Sequence, residues 1–270
     1  MIGAGLAFGI TAGRRPWLGE LSSAVERLGF GELWANDVPG ASGLETLAVA
    51  ADAAPRLHLA VGVMALTEHR PAAIARQVAS LGIAAERLTI GVGSGSSRSR
   101  AVVREGVAAV RDLLPGVAIA VAAVGPRMAE LGGEVADVVL LNWAAPRLAG
   151  ERRAAVEQAA AAAGRATPRV AAYVRVAVGP GAARRLAAEQ AKYARYGGSY
   201  RAVIGQQEGA GESALGIAVE PDDERHTASQ VAAALAPYRS VLDTVVVRGV
   251  PPADTLEGWL AVARAGTLRP

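Results

Sequence analysis

The sequence predicts an α/β fold, a closed (β/α)8 TIM barrel, and three observations carry that prediction. Short β-rich runs alternate with longer segments of helical period along the 270 residues, the signature of a parallel sheet with crossover helices. Runs such as Val138-Val139-Leu140-Leu141 and Val245-Val246-Val247 are apolar without alternation, as strands covered on both faces are. Eight such units are readable, which suits a closed barrel better than an open doubly wound sheet of fewer strands.

In chain order, strands are expected at Ile2 to Phe8, Glu32 to Ala35, Leu57 to Val63, Leu88 to Val92, Val117 to Val124, Val138 to Leu141, Val170 to Val178 and Thr244 to Val247. Between them the apolar spacing becomes i, i+3/i+4, i+7, as in Leu21/Val25/Leu28, Ile74/Val78/Leu81 and Val103/Val107/Val110/Leu114. These are helix faces. Ser42, Pro71 and Pro126 stand where helices start, and Gly29 and Gly164 where they stop. The interval from Val178 to Thr244 is too long for one helix and holds a Gly/Glu-rich loop, Gly205 to Gly211, so an extra helical and loop region is expected at about 197–240. No linker divides the chain, and residues 1–270 are read as a single barrel domain.

Composition excludes several chemistries. Half the residues are apolar and a fifth charged, a balance that favours a sizeable folded core over disorder. The absence of Cys removes disulfides, thiolate metal sites, iron–sulfur clusters and a Cys nucleophile. Lys192 is the only lysine and falls mid-helix, which argues against Schiff-base chemistry at a strand end. With a net charge of +3 and dispersed arginines, no nucleic-acid partner is expected. No apolar run reaches the ~18 residues of a membrane span, and Met1 to Leu6 lacks a basic leader region, so no membrane partner and a cytoplasmic location are expected. His58, His69 and His226 show no metal-ligand spacing. Neither a G-x-S-x-G elbow nor a P-loop occurs.

Four constellations remain. Gly3-Ala4-Gly5 precedes its strand and has Phe8 where a dinucleotide fingerprint needs its last glycine, so it is set aside. Gly91-Val92-Gly93-Ser94-Gly95-Ser96-Ser97 follows the fourth strand, at the rim where barrel sites are built. Its successive N–H groups can cradle an anion, and the plain alternative is a flexible loop. In Val124-Gly125-Pro126-Arg127-Met128 a strand ends, glycine turns the chain and proline opens a helix. The free N–H groups of that helix, beside Arg127, form a ready phosphate site or simply a tight turn. Trp34-Ala35-Asn36-Asp37 puts a carboxylate at the rim, as a helix cap or as a catalyst. Arg98, Arg100 and Arg104 lie just past the glycine loop and could hold an anionic tail or line a solvated helix start.

The same residues are where the chain resembles the bacterial luciferase-like flavin-dependent oxidoreductases, most closely the branch that uses the deazaflavin coenzyme F420, similar to methylenetetrahydromethanopterin reductase. The resemblance runs through Leu28-Gly29-Phe30-Gly31-Glu32-Leu33-Trp34-Ala35-Asn36-Asp37, Leu59-Ala60-Val61-Gly62-Val63-Met64, Arg70-Pro71 to Leu81, and Glu86-Arg87-Leu88-Thr89-Ile90-Gly91-Val92-Gly93-Ser94-Gly95. It continues in Gly125-Pro126-Arg127-Met128, Gly133-Glu134-Val135-Ala136-Asp137, Leu140-Leu141-Asn142-Trp143 and Thr244 to Arg248. The order and spacing of these pieces carry the likeness.

The resemblance implies a barrel, usually a homodimer, that binds F420, or alternatively FMN, at its C-terminal rim and transfers a hydride to or from a small organic substrate. It places a bulge, often with a non-proline cis peptide, near Gly62-Val63-Met64, behind the cofactor ring. It assigns cofactor loops to Gly93-Ser94-Gly95 and to Val124-Gly125-Pro126-Arg127-Met128, the latter at the phosphate. It sets Asp37 near the ring as the catalytic candidate, with Asn142 facing the pocket. Two departures stand out. Val38 and Ser96 occupy positions where sugar-phosphate and alcohol dehydrogenases of this branch carry a His and a Glu, which makes those two activities doubtful. A segment common before the fifth strand is missing, since Leu113-Leu114-Pro115-Gly116 runs straight into Val117. An FMN-dependent monooxygenase and a non-catalytic cofactor-binding relative are the competing readings.

Overall fold

The computed structural model describes residues 5–209, 215–220 and 223–267. Its strands are β1 (Gly5–Thr11), β2 (Glu32–Asn36), β3 (His58–Ala65), β4 (Leu88–Gly93), β5 (Ala118–Ala123), β6 (Val138–Asn142), β7 (Arg169–Val178), β8 (Ile217–Val219) and β9 (Thr244–Gly249). All pair in parallel, and eight close a barrel in the order β1 to β7, then β9, which returns to β1. These eight are the expected ones, with ends moved by a few residues. β1 runs on to Thr11 because Ile10 and Thr11 still find partners in Ala35 and Asn36, while Ile2, Gly3 and Ala4 lie outside the described residues. The eight-strand reading omits β8, which pairs only with the last residues of β7 and is too short to show a pattern.

The helices are α1 (Leu18–Arg27), α2 (Gly43–Ala53), α3 (Pro71–Ser80), α4 (Arg100–Leu113), α5 (Pro126–Val135), α6 (Pro146–Ala162), α7 (Ala182–Arg195), α8 (Gly198–Gly209), α9 (Glu224–Arg239) and α10 (Leu256–Ala265). Their ends follow the sequence signals. Ser42 caps α2 by accepting from the Glu45 N–H at 3.3 Å, and prolines open α3 and α5. Gly29, at φ +89°, follows α1 in a left-handed turn. α4 passes into β5 through Leu114 to Val117 alone, without an inserted segment.

The region after β7 contains α7, α8, β8 and α9. The loop expected at Gly205 to Gly211 is instead helical as far as Gly209, and Ala210 and Gly211 lie outside the described residues. Glycine disfavours a helix, but docking outweighs it here. Gln207 is fully buried and fastens α8 to the turn after β6, accepting from the Ala145 N–H at 2.7 Å and donating to the Trp143 carbonyl at 2.8 Å.

Strand alternation sorts the side chains into an outer core under the helices and a barrel interior. The interior stacks Ala7, Trp34, Ala60, Ala120, Leu140, Tyr173 and Val246. At its N-terminal end it becomes polar. Glu32 accepts from the Trp34 indole at 2.8 Å and pairs with Arg169 at 2.5 Å, while the His58 ring meets the Thr89 hydroxyl at 2.7 Å.

Two outcomes test this account. Gln207→Ala leaves the Ala145 N–H and Trp143 carbonyl without their partner, and we expect a loss of about 3 kcal/mol, read from the urea midpoint. Burial lowers the pKa of His58 from its ordinary 6.5, with Glu32 opposing the shift. The unfolded chain therefore takes up a proton there that the folded one resists, so the stabilisation is complete above pH 6.5 and is lost as pH falls through that value toward the folded pKa. His58→Asn should flatten the stability curve just below pH 6.5, and an unchanged slope in the variant would contradict the assignment.

Candidate active site

At the C-terminal mouth of the barrel the inward positions differ sharply around the ring. β3, β4 and β5 present Gly62, Gly93 and Ala122, whereas β6, β7, β9, β1 and β2 present Asn142, Arg175, Arg248, Thr11 and Asn36. Small residues on one side leave room, and polar residues on the other furnish hydrogen bonds. Two adjoining cavities fill this mouth, of about 450 and 600 Å³. They share Val63, Ala65, Ala122, Val124, Tyr196 and Tyr200 in their walls.

Between them stands the β3 bulge. The Gly62–Val63 peptide is cis, and the pairing of β3 with β4 shifts register between Val61 and Met64. The Gly62 carbonyl turns into the barrel, where it accepts from Asn36 Nδ2 at 2.9 Å and from the Tyr173 hydroxyl at 3.1 Å. Burial pushes the Tyr173 hydroxyl pKa up, which keeps it a neutral donor. A Cβ on Gly62 would stand 2.4 Å from that hydroxyl and 2.9 Å from Leu140, so only glycine fits. Val63 faces both cavities. Met64, expected beside the ring, turns instead into the core between sheet and helices, because the bulge adds one residue to β3 and reverses the alternation that would set it on the face of Gly62.

The remaining expected residues divide between the cavities. Asp37, Gly62, Val63 and Asn142 line the first; Gly93, Ser94, Gly95, Val124, Gly125, Pro126, Arg127 and Met128 line the second, with Val63 and Val124 common to both. Of the three arginines after the glycine loop, Arg98 and Arg100 reach the second cavity, and Arg98 has a left-handed backbone at φ 51°. Arg104 does not reach it, being drawn with Arg100 to Glu134 on α5.

Asp37 accepts from the Gly43 N–H at 2.8 Å, which serves the start of α2, and its other oxygen meets His69 Nε2 at 3.0 Å. The cap and rim-carboxylate readings of Asp37 thus coexist. His69 precedes α3 and supplies an imidazole beside Asp37, next to Val38, a link that metal-ligand spacing does not reveal. Its place in a strand-to-helix loop at the rim was the available signal. Asp37 is also not the sole ionisable wall group, since Glu68, Glu189, Lys192 and Arg248 line the same cavity. Lys192 comes from the last turn of α7 rather than from mid-helix, and it lines the first cavity.

Tyr193 from α7, Tyr196 just past its end and Tyr200 from α8 roof the mouth, the rings of the last two centred 5.4 and 5.3 Å from that of Tyr193. Tyr200 receives a hydrogen bond from Asn142 Nδ2 at 3.2 Å, and burial raises its pKa. Among the described residues no helix is long and apolar enough to cross a membrane, and no group of His, Cys, Asp and Glu is placed to hold a metal ion.

The chain matches the family model described as luciferase-like monooxygenase over residues 14–113 and 105–268. The two segments meet at α4, where the chain runs directly into β5. No curated protein sequence matches it. Among solved structures it is similar to an F420-dependent secondary alcohol dehydrogenase in complex with an F420-acetone adduct, at 14% identity and a TM-score of 0.75, covering 98% of this chain and 99% of that one. It is similar to the coenzyme F420-dependent tetrahydromethanopterin reductase of Methanopyrus kandleri, at 18% identity and TM-score 0.70 over 98% and 97% of the two chains. It also resembles the FMN-complexed oxygenating constituent of 3,6-diketocamphane monooxygenase from the CAM plasmid of Pseudomonas putida, at 14% identity and TM-score 0.70 over 99% and 97%. At these identities the structures speak for the barrel, and the family match speaks for descent. With every strand from β2 to β9 inside the matched segments, the chain belongs to the luciferase-like monooxygenase family.

Proposed function

We propose that the protein is an oxidoreductase that transfers a hydride between coenzyme F420 and a small organic substrate. The carrying observation is the joined pair of cavities, one polar and roofed by tyrosines, the other ringed by glycines and arginines, with Val63 between them. The second cavity fits a long anionic tail. Nothing lies within 4 Å of where a Gly125 Cβ would stand, so the start of α5 faces open space, and the dipole of that helix favours a phosphate. Arg98, Arg100 and Arg127 add positive charge along the same wall.

When bound, a deazaflavin supplies or accepts the hydride at its ring carbon. This chain's own residues do the rest. Gly62 and Val63 back the ring, held by Asn36 and Tyr173. Tyr193 and Tyr200 cover the first cavity and exclude water, which strengthens the polar contacts inside. The Asp37–His69 pair holds a proton between Oδ2 and Nε2 at the rim, for substrates whose reduction needs one.

FMN-dependent oxygenation is the second reading, favoured by the family match and by the likeness to the FMN-complexed monooxygenase component. Titration with both cofactors decides. F420 at a hundredfold excess over its Kd should raise stability by about 2.7 kcal/mol. Gly125→Asp should abolish that gain by placing a carboxylate in the cradle. Its ligand-free melting should not fall, since the site has an extended backbone at φ −100°, open space for the side chain, and a helix start that an aspartate can cap. Tighter binding of FMN would favour oxygenation. Tight binding of F420 without hydride exchange on any substrate would favour a non-catalytic relative, and unchanged melting with either cofactor would sink both enzymatic readings.

A further inference from the structure

Two buried cations, one in the wall of the first cavity and one directly behind it, have no carboxylate hydrogen-bond partner among the described residues. Arg175 on β7 and Arg248 on β9 are register partners on neighbouring strands, and they are 1% and 5% exposed. Like charges side by side on a sheet repel, and a buried charge is costly unless paired. Their hydrogen bonds nevertheless run to neutral groups among the described residues. Arg248 Nε donates to Asn36 Oδ1 at 2.7 Å, Nη1 to the Gly249 carbonyl at 2.6 Å, and Nη2 to the Thr11 hydroxyl. Arg175 donates to Asn142 Oδ1, while its Nε and Nη2 find no hydrogen-bond partner among the described residues. Its guanidinium carbon lies 4.0 Å from the Trp143 ring centre and 4.7 Å from that of Tyr193.

The carboxylates of the same cavity do not answer these charges. Asp37 is engaged by Gly43 and His69. Glu68 is exposed at the mouth, and Glu189 acts on Arg248 only through space. Arg248 lines the cavity, with Arg175 directly behind the walls made by Asn142 and Tyr193. β9 lies across the barrel from β4, so the cation pair and the glycine cradle for a phosphate sit at opposite ends of the joined cavities.

We propose that Arg248, reinforced by Arg175, receives a carboxylate of the substrate, so that the protein acts on an organic acid. The word substrate rests on the function proposed above; the anion site itself rests on the two arginines.

The test is calorimetric titration of the whole protein with benzoate and with its neutral isostere benzamide, each with and without F420. Wild type should bind benzoate at least about tenfold more tightly than benzamide, with the preference kept when F420 is present. Arg248→Gln should erase the preference, Arg175→Met should weaken it, and Arg248→Lys should retain part of it. All three should bind F420 within about threefold of wild type, which also reports that they fold. Equal binding of the two probes, or a preference that survives in Arg248→Gln, overturns the proposal. So does loss of benzoate binding by competition with F420, which would assign the arginines to the cofactor. If neither F420 nor FMN binds while the Arg248-dependent preference stands, the oxidoreductase reading fails and the anion site remains.

Discussion

The Asn36 side chain joins the two halves of the barrel mouth. Its amide nitrogen holds the Gly62 carbonyl and its amide oxygen receives Arg248, so one residue on β2 fixes both the β3 bulge and the guanidinium on β9. Swapping the ends of that amide would break both bonds at once, which defines its orientation. Tyr173 adds a second donor to the same carbonyl from the far side of the barrel. These four residues, from β2, β3, β7 and β9, all line the first cavity.

The mouth is asymmetric because side-chain volume is. Glycine and alanine on β3, β4 and β5 let a planar or extended ligand approach the backbone, while the bulky polar residues opposite reach inward. Trp143 adds a constraint of its own. It takes a left-handed backbone at φ 55°, unusual for an aromatic residue. The Gln207 hydrogen bond to its carbonyl and the Arg175 guanidinium over its ring hold it there. The turn after β6 is thus fastened from α8 outside and from β7 inside.

Much of this was legible in the sequence, for definite reasons. Buried strands announce themselves through unbroken apolar runs, and Pro126 and Gly125 mark a helix start on any fold. The order of short motifs located the bulge to within a residue of the Gly62–Val63 bond. What stayed hidden depends on long-range pairing. His69 and Asp37 are 32 positions apart, and nothing local tells a rim imidazole from a surface one. Arg175 and Arg248 look like ordinary basic residues until the register of β7 and β9 sets them side by side. Gln207 looked like part of a glycine-rich loop, because a buried glutamine carries no signature until its backbone partners are known. Met64 faces the outer core because the extra residue of the bulge reverses strand alternation after Gly62, a change that no local pattern in the sequence marks.

The origin of the tyrosine roof has a consequence for how such a molecule can vary. The floor is assembled from strand ends scattered over the whole chain, so altering it disturbs barrel closure. The roof comes from one continuous stretch, α7 and α8, fastened through Gln207 and the buried side chains of Leu186, Val203 and Ile204. The entrance is therefore written largely in one part of the gene and the floor in many, so exchanging that one stretch would reshape the entrance at a stroke, provided a glutamine remains at position 207 to hold the turn after β6.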